Sequence, residues 1–172
     1  MKIIDNYLPE SEYLKIKEIL ESFNFPWFYF NGKVVPNNKL FDFGFSHTFY
    51  IHNKPNSEFL NILDPIINKI EPLSLIRIKA NLNPISKDLI EFKEHTDQQF
   101  KCKAAIYYVN DNNGYTYFMD GSKVYSKARR LVRFDSHHKH SGSTHSDARY
   151  RFVININYIP KEMITYDKEV QS

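Results

Sequence analysis

The sequence predicts a mainly β domain: a sandwich or barrel of short strands, covered on one side by helices from the N-terminal third. Three observations predict it. Apolar residues recur at helical spacing only in about the first 72 positions. From residue 73 the period changes to strict alternation in several short runs. Turn-forming clusters such as NDNNG and HSGSTHSD separate those runs. A chain of 172 residues fits a single domain, 1–172, with a helical part over about 1–72 and a β core over about 73–160.

The elements follow in order. LPESEYLKIKEILESF places Tyr13, Ile16, Leu20 and Phe23 on one helical face, with Pro9 suited to its first turn. FPWFYF then reads as a strand-like aromatic run. SEFLNILDPIINKI repeats helical spacing at Phe59, Leu63, Ile66 and Ile70, but Pro65 must kink or split that helix. LIRIKANL, KAAIYYVN, YTYF, RLVRF and RYRFVININY alternate as strands. Stretches near 31–55 and 84–94 are expected to be loops that meet the substrate.

Composition excludes several classes. The chain is 42% hydrophobic and 25% charged, as globular domains are, and its net charge is only +3. Such a balance permits an acidic partner without arguing for one, and nucleic acid is disfavoured. Cys102 is the only cysteine, so an internal disulfide and a cysteine zinc cage are excluded and a reducing cytoplasm is expected, a host's if the chain is viral. No run approaches the roughly 18 apolar residues of a membrane span, and the N-terminus lacks the apolar stretch of a signal peptide.

EFKEHTDQQF carries His95 and Asp97 two apart. In a strand, residues i and i+2 point to one face, so imidazole and carboxylate would converge. A facial triad needs such a pair plus a second histidine from elsewhere. H-x-D alone is more often a surface pair. His140 lies between two strand-like runs, just before Ser141-Gly142, where a third ligand should sit. On the outgoing run Arg149, Arg151, Val153 and Asn155 share one face, and Phe152, Ile154 and Ile156 the other. An arginine buried beside a metal needs an anion, and its planar guanidinium suits a carboxylate.

H-x-D, then a histidine, then an arginine about ten residues on resembles the 2-oxoglutarate, iron(II)-dependent oxygenases, in particular small proteins of the prolyl 4-hydroxylase type. The resemblance covers residues 75 to 158, from LIRIKANLNP through AIYYVND, NGYTYF and RLVRFDSHHKHSG to RYRFVININY; FPWFYF and the helix before it match more loosely. It implies a double-stranded β-helix (a cupin-like jelly roll) with helices packed on one sheet. It implies iron ligands His95, Asp97 and His140, and Arg151 as the cation for the distal carboxylate of 2-oxoglutarate. The spacing from His140 to Arg151 is longer than is common, and Arg149 fits the shorter one, so Arg149 is the second candidate. Tyr108 matches a tyrosine that hydrogen-bonds the same carboxylate, and strand parity puts Ala104, Ile106 and Tyr108 on one face. Asn81 matches a polar cosubstrate contact, and parity with Arg151 puts Asn155 near the iron.

The reaction so implied consumes dioxygen and 2-oxoglutarate, releases succinate and carbon dioxide, and hydroxylates an unactivated C–H, with peptidyl proline the leading substrate. A free amino acid, another small metabolite or a nucleic-acid base is the alternative. A non-catalytic jelly-roll binding module and a zinc hydrolase are readings of other classes; neither has a use for the arginine. His137, His138 and His145 read as solvated loop residues, and Trp27 as core. His47 and His52 have no evident partner. Lys127, Arg129, Arg130 and Arg133 form a basic run expected beside the site.

Overall fold

Residues 1–31 and 43–163 are described by a computed structural model. Its strands are β1 (Lys2–Ile4), β2 (Phe28–Asn31), β3 (Phe43–Ile51), β4 (Lys54–Pro55), β5 (Pro72–Pro84), β6 (Lys103–Tyr108), β7 (Tyr115–Phe118), β8 (Lys123–Tyr125), β9 (Arg130–Asp135), β10 (His140–Gly142) and β11 (Tyr150–Pro160). The larger sheet is antiparallel in the order β1-β9-β6-β11-β5-β3-β2, with β4 on β3; the smaller runs β10-β7-β8. Two facing antiparallel sheets with helices on the outer face of one are the jelly roll expected of the sequence.

Two helices cover the larger sheet. α1 spans Glu10–Glu21 and buries Tyr13, Ile16 and Leu20. Pro9 stands before its first turn, where Glu10 and Glu12 complement the helix dipole. Phe23 does not join that face: the chain turns extended at Ser22 and leaves Phe23 fully exposed. Pro65 splits the second helical run into a 3-10 turn, Leu60–Leu63, and α2, Asp64–Ile70, in whose first turn its missing N–H costs nothing. Ile16, Leu20, Leu63 and Ile66 then bury against Ile78, Tyr107, Phe152, Ile154 and Ile156. A second cluster, Ala104, Ile106, Tyr108, Val132, Phe134 and Val153 against Phe118 and Val124, fills the space between the sheets. Residues 104–108 and 152–156 therefore divide between the two cores by parity, as alternation requires.

Helix and sheet do not part at residue 72. β1 to β4 lie before it and belong to the larger sheet. The expected substrate loop at 31–55 is in large part strand, and residues 32–42 of it lie outside the described residues. His52 and Asn53 have positive φ (54° and 59°) and make the tight turn joining β3 to β4. His47 is buried in β3: its Nδ1 lies 2.8 Å from the Pro26 carbonyl and its Nε2 2.7 Å from the Ser57 hydroxyl. Trp27 stacks on Phe152 and donates to the Leu20 carbonyl, so it packs, half-buried, on the edge of the core. The basic run is not at the site. Lys127 and Arg130 pair with Asp5, Arg129 donates to the Leu8 carbonyl, and these bonds pin the N-terminal segment. Arg133 lines a separate hollow.

Candidate metal centre

The two long strands fix the site. In the β5–β11 register Arg77 faces Asn157, Lys79 faces Asn155, Asn81 faces Val153 and Asn83 faces Arg151. These positions share one face by parity, and nearly all are polar. The apolar core ends there, and a cavity of about 290 Å³ opens between the sheets.

His95 and Asp97 are not in a strand. They lie in an extended, irregular segment that runs antiparallel to residues 136–144. His95 and His140 exchange both backbone hydrogen bonds, at 2.9 and 3.0 Å, and the Asp97 N–H donates to the Ser136 carbonyl at 3.1 Å. A pair that exchanges both bonds carries its side chains on the same side. That is why the imidazoles meet, with ring centroids 4.7 Å apart. One ligand atom each from His95, Asp97 and His140 lies within 4.8 Å of the others, close enough for a single ion to draw them together.

Each ligand is oriented by its surroundings. His140 Nδ1 donates to the His138 carbonyl at 2.9 Å, which leaves Nε2 and its lone pair facing Asp97. Burial, opposed by the Asp97 charge, pushes the His140 pKa down and keeps the ring in the neutral form that binds metal. The Asp97 carboxylate is 1% exposed and pairs with Arg77 at 3.1 Å. It also accepts from the amides of Asn155 (3.2 Å) and Asn157 (3.0 Å). The Asn155 Oδ1 is buried beside them with no donor among the described residues, as expected where a water or bound group belongs. One carboxylate, two imidazoles and an orphaned acceptor fit a divalent metal with open positions.

Arg151 occupies the far end of the cavity. It is 2% exposed, its Nε donates to the Ser126 hydroxyl at 2.8 Å, and no carboxylate among the described residues pairs with it. Burial lowers its pKa, but a guanidinium stays charged. A buried, unpaired cation facing a cavity is a site for an anion.

Solved structures with this architecture were found. A prolyl hydroxylase from Trichoplax adhaerens, in complex with a peptide fragment of the hypoxia inducible factor oxygen degradation domain, superposes with a TM-score of 0.64 at 13% identity over 94% of this chain and 84% of that one. A non-haem α-ketoglutarate-dependent epimerase from nogalamycin biosynthesis gives 0.66 at 13% identity, over 92% and 76% of the two chains. HygX from Streptomyces hygroscopicus, with nickel and 2-oxoglutarate bound, gives 0.59 at 10% identity, over 92% and 82%. The fold is that of the 2-oxoglutarate, iron(II)-dependent oxygenases. No family model and no curated protein matches the sequence.

The oxygenase fold accounts for the placement of the remaining candidates. Asn81 and Asn155 line the cavity with Arg151, whereas Arg149 is exposed outside it. Strand parity alone could not separate the two arginines; the start of β11 at Tyr150 does. Tyr108 is fully buried behind the cavity wall rather than in it. Its hydroxyl donates to Thr116 Oγ1 at 2.8 Å, and Thr116 lines the cavity in its place. His145, expected in solvent, is fully buried, because residues 143–145 tuck under the 86–90 segment. His137 and His138 are exposed. Sequence reading missed Arg77, Lys79, Asn157, Thr116 and Ser126. The signal for the first three was there: LIRIKANLN and VININ put polar residues on every second position of long strands.

Proposed function

We propose that residues 1–172 form one iron(II)- and 2-oxoglutarate-dependent dioxygenase domain that hydroxylates an unactivated C–H, by preference in a peptidyl residue, in a reducing cytoplasm. The observation that carries the reading is the convergence of His95, Asp97 and His140 at one end of a cavity whose other end holds the unpaired Arg151. Metal and cosubstrate, when bound, supply the oxidation: dioxygen and 2-oxoglutarate become succinate and carbon dioxide as one oxygen atom enters the C–H bond. The chain supplies the rest. His95, Asp97 and His140 hold the metal; Arg77, Asn155 and Asn157 fix the Asp97 carboxylate. Arg151 receives the distal carboxylate of 2-oxoglutarate, and Ser126 fixes its guanidinium. The peptide bound to the Trichoplax prolyl hydroxylase supports a peptide substrate. A small-molecule substrate is the second reading.

Succinate release from 2-oxoglutarate by anaerobically iron-loaded protein, then exposed to air with and without a proline-rich peptide, tests this. Peptide-stimulated succinate supports both class and peptide substrate. Slow succinate unchanged by peptide keeps the class and rejects proline. No succinate and no 2-oxoglutarate binding reject the oxygenase.

Gly114 offers an independent check of the Arg151 role. A Cβ there would meet Arg151 Cδ and Asn112 Oδ1, each at 2.8 Å, and the Thr144 carbonyl at 3.0 Å. Gly114→Ala should cost about 1–3 kcal/mol of stability and push the arginine off its position. A higher 2-oxoglutarate dissociation constant with unchanged metal content is the expected result.

A further inference from the structure

The cavity is more cationic than the proposed cosubstrate needs. Among the described residues Arg77, Lys79 and Arg151 line it, with Asp97 as the one carboxylate. A divalent metal and a 2-oxoglutarate dianion cancel each other, so loading the site leaves that excess of positive charge in place. Arg151 is matched by the distal carboxylate, and Arg77 already bonds Asp97. Lys79 is left. It is partly buried, in no ion pair among the described residues, and the ring of Phe30 lies 4.8 Å from its ammonium. Arg77, two residues along the same strand face, adds to the positive field and keeps its buried Nε without an acceptor.

Position decides what Lys79 can hold. The register puts it opposite Asn155, whose amide bonds Asp97, and therefore at the metal end. Arg151 is four residues further along β11, about 13 Å at roughly 3.3 Å per residue. The distal carboxylate of 2-oxoglutarate is matched to Arg151, which leaves Lys79 at the metal end for a different group. Lys79 also lies on the β3–β2 side of the metal, where Phe30 forms the wall, away from the histidines. Because the metal already balances both charges of the cosubstrate, the anion that answers Lys79 comes from another molecule.

We propose that the substrate carries an anionic group, a carboxylate or a phosphate, received by Lys79 with Arg77 beside the metal, and that these two residues select which molecules are accepted. The inference rests on the oxygenase reading and holds for a peptidyl or a free substrate.

Binding to nickel-loaded protein saturated with 2-oxoglutarate, followed by calorimetry, tests it without turnover. The probes are matched pairs: N-acetyl-aspartate methylamide against its asparagine analogue, and N-acetyl-phosphoserine methylamide against its serine analogue. At least one anion should bind about tenfold tighter than its neutral partner, and which one identifies carboxylate or phosphate. Lys79→Met should bring that ratio to within about twofold, and Lys79→Arg should retain it, both with unchanged 2-oxoglutarate affinity. Anions binding no tighter than their neutral partners, or not at all, overturn the proposal. So does Lys79→Met weakening 2-oxoglutarate itself, which would make Lys79 a cosubstrate ligand while the oxygenase reading stands. If 2-oxoglutarate does not bind the nickel-loaded wild type, the reading and the inference fail together.

Discussion

Arg151→Met is expected to give a protein that folds as well as the parent and no longer retains 2-oxoglutarate. The two halves of this expectation have one cause. Arg151 is 2% exposed, its only described hydrogen-bond partner is the neutral Ser126 hydroxyl, and its guanidinium lies 5.8 Å from the centre of the Tyr108 ring. Holding an unpaired guanidinium away from water destabilises the empty protein, so an apolar side chain of similar length should leave its stability unchanged or raise it by about 1 kcal/mol. The same substitution removes the charge-assisted pair with the distal carboxylate, worth about 2–3 kcal/mol, or roughly a hundredfold in the dissociation constant. Denaturant melts of the empty protein and calorimetric titration of the metal-loaded protein read the two effects separately. Unchanged 2-oxoglutarate affinity would remove Arg151 from the site. Arg149, exposed and outside the cavity, should tolerate alanine without effect on either quantity.

Asp97→Ala should fail in the opposite way, in both binding and stability. It removes the only anionic ligand of the metal site. Loss of a group that merely orients a ligand costs 10- to 100-fold in affinity, so loss of the ligand itself should cost at least about a hundredfold. It also leaves Arg77, Asn155 and Asn157 without the acceptor they share. Arg77 keeps partial access to water, which limits the penalty, so the empty protein should lose about 1–3 kcal/mol. Metal content after dialysis and the denaturation midpoint should therefore fall together, and succinate release should vanish. A variant that retains a full equivalent of metal would show that the triad is not the metal site.

His95, Asp97, His140 and Arg151 were each legible before the fold was known, for different reasons. His140 and Arg151 bracket the turn between two strands, and parity assigned Arg151 to the polar face of the second. The H-x-D pair was legible through the wrong geometry. Alternation along a strand explained its convergence in the sequence reading, but the segment is irregular and the backbone pairing of His95 with His140 is what brings the imidazoles together. Tyr108 was placed on the correct face but one layer too deep to line the cavity, since parity reports direction and not depth. His145 looked solvated because it follows a Gly-Ser turn; packing against the 86–90 segment buries it. β3 went unread because its aromatic and polar residues were taken as loop, although their alternation is that of a strand.

Periodicity, turn chemistry and the sparse set of metal-binding residue types are local properties, and the sequence by itself determined what depends on them: the two helical runs, the alternating strands after residue 72, the candidate ligands His95, Asp97 and His140, and an arginine on the last strand. Register and depth are not local. They follow from which strand pairs with which, and from where the apolar core stops. Only the tertiary structure could therefore set Lys79 opposite Asn155, close Arg77 and Asn157 onto Asp97, choose Arg151 over Arg149, and leave a surplus of positive charge beside the metal site.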